Sequence, residues 1–340
     1  MRRRAMAGGL QVSAMLAYAG LMPQARGRGA IFTLHHVRPH RPRPFEPNLH
    51  LEITPEFLDA AIRQLVQDGY DFVALSEVPA RLAEPSQRPF AAFTLDDAYR
   101  NNADHALPVF AAHDVPFTIF VARGFAERQN TLWWEVLAEV LGAGREIRFD
   151  FGDGRDETVI PLHSTPQRRA AFHKFAHFVR SGEEAEAVAR IDALARRHGI
   201  DPLTITADLT MAPDELQALH AHPLVDFGAH TVSHRALARL SPEAARDEMQ
   251  QSANYLAELT GERPVSIAYP YGTPEAICAR DQRMARELGL GIGVTTRPGT
   301  LQPSDLQRLT ALPRISLNGL FQQPRYVSAL ASGIPFKLSR

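Results

Sequence analysis

Phe90-Ala-Ala-Phe-Thr-Leu-Asp-Asp97 reads as a buried strand that stops on two adjacent acids. Carboxylates at the end of an apolar run are costly to bury unless a cation or a metal meets them. Successive strand residues point to opposite faces, so two neighbouring acids serving one site require the chain to turn at this pair. Much later in the chain a second apolar run, Leu224-Val-Asp-Phe-Gly228, leads into His230-Thr-Val-Ser-His234. Two histidines four residues apart can turn both imidazoles to one side. With one aspartate they form a two-histidine, one-carboxylate set that leaves positions open for water and substrate. A third segment, Pro264-Val-Ser-Ile-Ala-Tyr-Pro-Tyr-Gly272, is a short strand that breaks into a Pro/Gly turn carrying aromatics. Each motif alone is weak evidence; three such strand ends in order point to a hydrolytic metal centre.

Outward from these segments the chain alternates strands and helices. Thr54-Pro-Glu-Phe57 has the cap and first-turn proline of a helix start, followed by an apolar stripe of Phe57, Leu58, Ile62 and Leu65. Phe72 to Leu75 reads as a short strand, Ala103 to His113 as a helix and Val115 to Val121 as a continuous buried strand. Ser241 and Pro242 open a further helix that runs to Leu259, with its Glu248 to Tyr255 stretch partly charged outward. Unbroken apolar strands between helices predict a parallel sheet covered on both sides.

The three motifs resemble those of the polysaccharide deacetylases, carbohydrate esterase family 4, which includes the nodulation chitooligosaccharide deacetylases. Phe93-Thr-Leu-Asp-Asp97 is similar to that family's first motif, His230 to His234 to its second and Ala268-Tyr-Pro-Tyr-Gly272 to its third. The resemblance runs from about residue 30 to 320. It implies an α/β fold, an incomplete (β/α)7 barrel with active groups at the C-terminal ends of the strands. It also implies that Asp96 is the catalytic base, that Asp97, His230 and His234 bind a divalent metal, and that the backbone N–H of Tyr271 helps hold an oxyanion. Zinc is the default ion, with cobalt or another divalent ion as alternatives.

Two positions depart from the family pattern. The arginine that usually opens the third motif is here Ala268, and no histidine follows His234 to act as the family's late general acid. His35, in Ala30-Ile-Phe-Thr-Leu-His-His-Val37, matches a His-x-Val run near the start of related deacetylases and is the candidate proton donor or substrate ligand. Strand alternation turns His36 the other way. Arg314, at the start of the last short strand, is the candidate replacement for the missing arginine, since a guanidinium can brace a carboxylate with two parallel hydrogen bonds.

From 126 to 219 the pattern changes to a mainly helical insertion, expected to cap the site or lie beside it. Trp133-Trp134 opens a helix, Ile147 to Ile160 suggests a hairpin, and Arg168 to His198 reads as two helices. The tryptophans suit either core anchors or a sugar-stacking platform. His173 and His177 have ligand spacing but lack a third partner, and are read as surface or packing residues.

The composition bounds the remaining choices. With 340 residues and 45% hydrophobic content the chain can bury a large core, and 37 basic against 38 acidic residues give no general attraction to nucleic acid. The lone Cys278 excludes an intrachain disulfide. Residues 1–45 hold eight arginines and no acid, with Arg2-Arg-Arg4 ahead of an interrupted apolar stretch. This predicts a basic N-terminal helix or tail over 1–29 that packs on the barrel or attaches peripherally to an anionic membrane. The expected location is cytoplasmic, membrane-associated, with secretion or a periplasmic location as the alternative. The barrel then spans 30–320, interrupted by the insertion, and 321–340 forms a C-terminal tail. The expected activity is removal of N-acetyl groups from amino sugars of an oligo- or polysaccharide. The other readings are a degenerate glycan-binding member and a metal-dependent amidase acting on a non-sugar amide; the oligomeric state is left open.

Overall fold

The structure is a computed structural model that describes residues 2–84, 88–152 and 157–338. An N-terminal helix α1 (Arg2–Tyr18) precedes β1 (Gly29–Leu34) and α2 (Pro55–Gln67). Then come β2 (Phe90–Leu95) and β3 (Phe117–Val121), separated by a π-helical turn, Asn102–Ala106, that runs into the helix Leu107–Ala112. The insertion supplies α3 (Trp133–Ala143), α4 (Thr165–Ser181), α5 (Glu184–Arg197) and α6 (Pro202–Leu209). After α7 (Pro213–His220) the barrel resumes with β4 (Val225–Ala229), α8 (Pro242–Thr260), β5 (Ser266–Ala268), α9 (Ala279–Glu287), β6 (Ile292–Pro298), β7 (Leu312–Ser316) and α10 (Pro324–Ala331).

The seven strands are all parallel and pair in chain order, and β7 returns to β1 to close the ring. This is the (β/α)7 barrel. In β1 and β2, paired Phe32 to Phe93 and Leu34 to Leu95, every residue is buried. A strand covered on both faces must be apolar throughout, which is why these segments show no alternation. The predicted strand at Phe72 is shorter than expected: Asp71–Phe72 pairs with the lower edge of β2 beneath the start of β3.

Local signals set the helix starts. The Thr54 hydroxyl accepts from Phe57 N–H at 3.1 Å and Ser241 from Ala244 N–H at 3.2 Å, each with proline in the first turn. Leu58, Ile62 and Leu65 of α2 then lie fully buried against the barrel. One expectation fails on α8: Glu248 does not face outward but is buried and turned toward the histidine segment.

The insertion forms its own apolar cluster, in which Val136, Leu137 and Val140 of α3 meet Phe175 of α4 and Ile191 of α5. An antiparallel hairpin, Glu146–Phe149 with Thr158–Pro161, packs there; the predicted turn at 153–156 lies outside the described residues. Trp133 and Trp134 are each 7% exposed, so they are core anchors rather than an open stacking platform. Leu216 and Leu219 of α7 belong to the barrel's cluster. Structurally the insertion therefore ends near Leu209, about ten residues before the expected boundary. Cys278 sits half-buried at the N-cap of α9.

Candidate active site

Asp96 still belongs to the ladder, its N–H donating to Leu34 O at 3.0 Å. The next two residues, Asp97 and Ala98, have φ of 71° and 50°. The chain therefore leaves the strand between the two acids, and both carboxylates, each 3% exposed, can serve one cavity. Thr231, His234 and Tyr271 also have positive φ, so five of the eight such non-glycine residues among those described lie on the loops of this site. Backbone of this kind costs about 1–2 kcal/mol per residue and persists only where the surroundings hold it.

The histidines are not on a helix. Residues 230–234 form a loop after β4 in which the Thr231 hydroxyl accepts from His234 N–H at 3.1 Å. Glu248 of α8 accepts from Val232 and Ser233 N–H, both at 2.8 Å, and from the Ser233 hydroxyl. This buried acid was missed in the sequence because it lies inside an ordinary amphipathic helix; its position seven residues after the Ser241 cap was its only signal. The turned loop aims both Nε2 atoms at Asp97 Oδ1, each 3.5 Å away. His230 Nδ1–H donates to Ala268 O at 2.7 Å, which leaves Nε2 free for a ligand.

Asp97 Oδ1 is buried and accepts no hydrogen bond. A buried carboxylate oxygen in that condition needs a cation. Ligand atoms about 2.1 Å from a tetrahedral ion lie about 3.4 Å apart, close to the observed spacing. The three side chains therefore fit a divalent ion, and they are the one such cluster among the described residues. Burial would raise the Asp97 carboxyl, but the two imidazoles hold it well below the usual carboxylate range. Burial lowers His234 to about 4, so its ring is neutral and competent as a ligand.

Asp96 stays off this cluster because Arg314 holds it. Nη1 and Nη2 donate to Oδ1 and Oδ2, both at 2.7 Å, while Nε donates to Thr295 O at 3.0 Å. The guanidinium is 1% exposed and spans from β7 to β2 across β1. Against burial, which raises it, the Arg314 charge and hydrogen bonds keep the Asp96 carboxyl below its ordinary value. His35 Nε2 lies 3.9 Å from Asp96 Oδ2, with its side chain 21% exposed. Burial lowers its pKa despite the two nearby acids. His36 faces away, fully buried and stacked on Tyr99 at 3.6 Å.

Tyr271 lies opposite, in a turn closed by Gly272 N–H donating to Pro270 O at 2.7 Å. An i to i+2 bond around a residue of positive φ is the rarer, strained form of γ-turn. Gly272, at φ 61°, is required next: a Cβ there would meet Thr296 N at 2.5 Å. All seven residues singled out in the sequence thus meet at the C-terminal ends of the strands.

Comparison with known proteins bears on the fold and the family. No curated protein sequence matches the chain. Among solved structures, the chain resembles the Streptococcus pyogenes deacetylase PplD, determined in complex with acetate, at 18% identity and a TM-score of 0.55, covering 86% of this chain and 92% of that one. It also resembles IcaB from Ammonifex degensii, at 17% identity and 0.57, covering 90% and 98%. The polysaccharide deacetylase BC0361 from Bacillus cereus gives 13% and 0.55 over 89% and 68%. At these identities the likeness establishes a shared fold. The sequence profile described as polysaccharide deacetylase matches residues 83–150 and 154–291, more than half of the chain and all three motifs, so the chain belongs to the polysaccharide deacetylase family.

Proposed function

We propose that this chain is a metal-dependent hydrolase that removes N-acetyl groups from amino sugars of an oligo- or polysaccharide. The observation that carries this reading is the pair of neighbouring acids with divided duties. Asp96 is clamped by Arg314, and the unpartnered Asp97 oxygen faces two imidazole nitrogens. Binding alone would not need the second carboxylate.

A divalent ion held by Asp97, His230 and His234, zinc by default or cobalt, would supply Lewis acidity toward an acetamide carbonyl and make a nearby water more acidic. Asp96, ionised and kept off that cluster, takes the proton of the attacking water. The Tyr271 N–H meets the developing oxyanion; a donor of this type contributes about 3–4 kcal/mol in other hydrolases. His35, close to Asp96 and partly open to solvent, relays to the leaving amine the proton that Asp96 took from the water, which returns Asp96 to its ionised form. Arg314 orients Asp96, taking over from the family arginine absent at Ala268.

The test is acetate release from acetylated chitooligosaccharides. The wild type is expected to release acetate, to stop after chelation and to recover with added Zn2+ or Co2+. Asp96→Asn should bind metal yet release none. Metal and sugar binding without release from any N-acetylated glycan would favour the binding-only reading, and release from simple amides alone would favour a non-sugar substrate.

The working location we propose is the face of an anionic membrane, on the cytoplasmic side, with secretion or a periplasmic location as the alternative. Support comes from α1, which packs Leu10 and Ser13 inward near α10 and leaves Val12, Met15 and Tyr18 in solvent. Its sequence carries Arg2 to Arg4 and no acid. No helix among the described residues is long and apolar enough to cross a membrane.

A further inference from the structure

The Tyr271 phenol is fully engaged by the insertion. Its O–H donates to Glu184 Oε1 at 2.6 Å, and its oxygen accepts from Trp133 Nε1–H at 3.0 Å. Glu184 opens α5 and Trp133 opens α3, so both partners come from outside the barrel. Glu184 is 7% exposed, and its other oxygen accepts from Ala236 N–H at 3.0 Å, two residues beyond His234. The same tyrosine ring packs edge-on against His234, with centroids 5.2 Å apart. One buried carboxylate therefore ties the γ-turn of the oxyanion donor to the loop of the histidines. Burial raises its pKa, partly offset by the bonds from Tyr271 and Ala236.

A buried acid with two neutral donors is an expensive way to hold two loops together unless their relative position matters. Among the described residues the barrel's hydrogen bonds to the turn come from Thr296, whose hydroxyl donates to Tyr271 O at 2.7 Å and whose N–H donates to Gly272 O at 3.0 Å. Those bonds fix carbonyls. The Pro270–Tyr271 peptide that carries the N–H is set by the γ-turn bond itself, and the Tyr271 side chain, held from the insertion, ties that turn to the histidine loop.

We infer that Glu184 is a positioning residue, acting through the Tyr271 phenol to hold the strained turn whose N–H meets the oxyanion. This rests on the oxyanion role assigned to Tyr271 above. The insertion is then a working part of the catalytic barrel, because it supplies the side-chain anchor for a main-chain donor.

The test compares Tyr271→Phe, Glu184→Gln and their double variant. Tyr271→Phe keeps the ring and its volume and removes only the O–H. Each single variant is expected to lose about ten- to a hundredfold in kcat, less than outright removal of an oxyanion donor, with KM within about twofold. The double variant should be no slower than the slower single, since both changes break one link. All three should still bind one equivalent of Zn2+. Independently of turnover, amide exchange across residues 268–273 should speed up in Glu184→Gln. Wild-type kcat in Tyr271→Phe, losses that multiply in the double variant, a lost zinc equivalent or unchanged exchange would each overturn the inference. A wild type that releases no acetate but shows the exchange effect would instead overturn the proposed reaction and leave the positioning link standing.

Discussion

The guanidinium of Arg314 braces Asp96 with two parallel hydrogen bonds. It is 218 positions from Asp96 in the chain and 2.7 Å from it in the fold. Only a planar fork can meet both carboxylate oxygens at once, so Arg314→Lys should not rescue function. It is expected to lower kcat at least tenfold. Arg314→Met leaves a buried carboxylate unpaired, so it should cost about 3–5 kcal/mol in urea denaturation. Adding Asp96→Asn should recover part of that loss, and a double variant as unstable as the sum of the two would count against the pairing. His35 and His36 separate by the same kind of reasoning. Loss of a general acid costs about 10²–10⁴-fold, so His35→Gln should lose turnover with little change in Tm. His36→Ala should lose stability first, because its ring fills a fully buried place against Tyr99. Loss of activity in His36→Ala together with full activity in His35→Gln would reverse the assignment.

Among the elements, those with local signals were legible: the cap and proline of α2 and α8, and the unbroken apolar runs of β1, β2 and β3. The loop at His230 was not. Its i, i+4 spacing suits a helix, yet Glu248 and the positive φ of Thr231 and His234 replace helical bonds with loop ones. The insertion carries a testable consequence of burial. Asp192 of α5 is 8% exposed, takes one hydroxyl bond from Thr131 and feels the Arg196 charge as a smaller influence. Burial raises its pKa to about 6, only partly offset by that bond. Its folded pKa thus lies above the unfolded value of about 3.9. The sign follows: below pH 4 both states are protonated and nothing is lost, and stability falls as pH rises through 4 to 6. The cost at neutral pH is about 2–3 kcal/mol on this basis. Asp192→Asn keeps an acceptor for Thr131 and is expected to raise Tm at pH 7 while flattening its pH dependence. A Tm at pH 7 equal to or below the wild type would refute this.

For the molecule as a whole, ring closure and the fused insertion put the site at one end of a barrel, while α1 covers the flank near α10. The exposed apolar side of α1 predicts that the full chain sediments with vesicles containing phosphatidylglycerol and far less with pure phosphatidylcholine. Val12→Glu with Met15→Glu should weaken that binding at least tenfold, and high salt should weaken it through screening of the arginines. Equal binding to both vesicle types, or none, would end the membrane reading; a dimer that the same substitutions dissociate would assign the face to a second copy.

Chain-local information was enough for the strand and helix pattern, the three motifs and the need for a turn between Asp96 and Asp97, since each depends on neighbours a few residues apart. The pairing of Arg314 with Asp96, the inward turn of Glu248 and the reach of Glu184 to Tyr271 depend on which elements the closed ring and the folded insertion bring together. Those contacts join residues far apart in the chain, and no periodicity records them. They follow from the packing of the barrel, where buried charges find whichever partner the fold delivers.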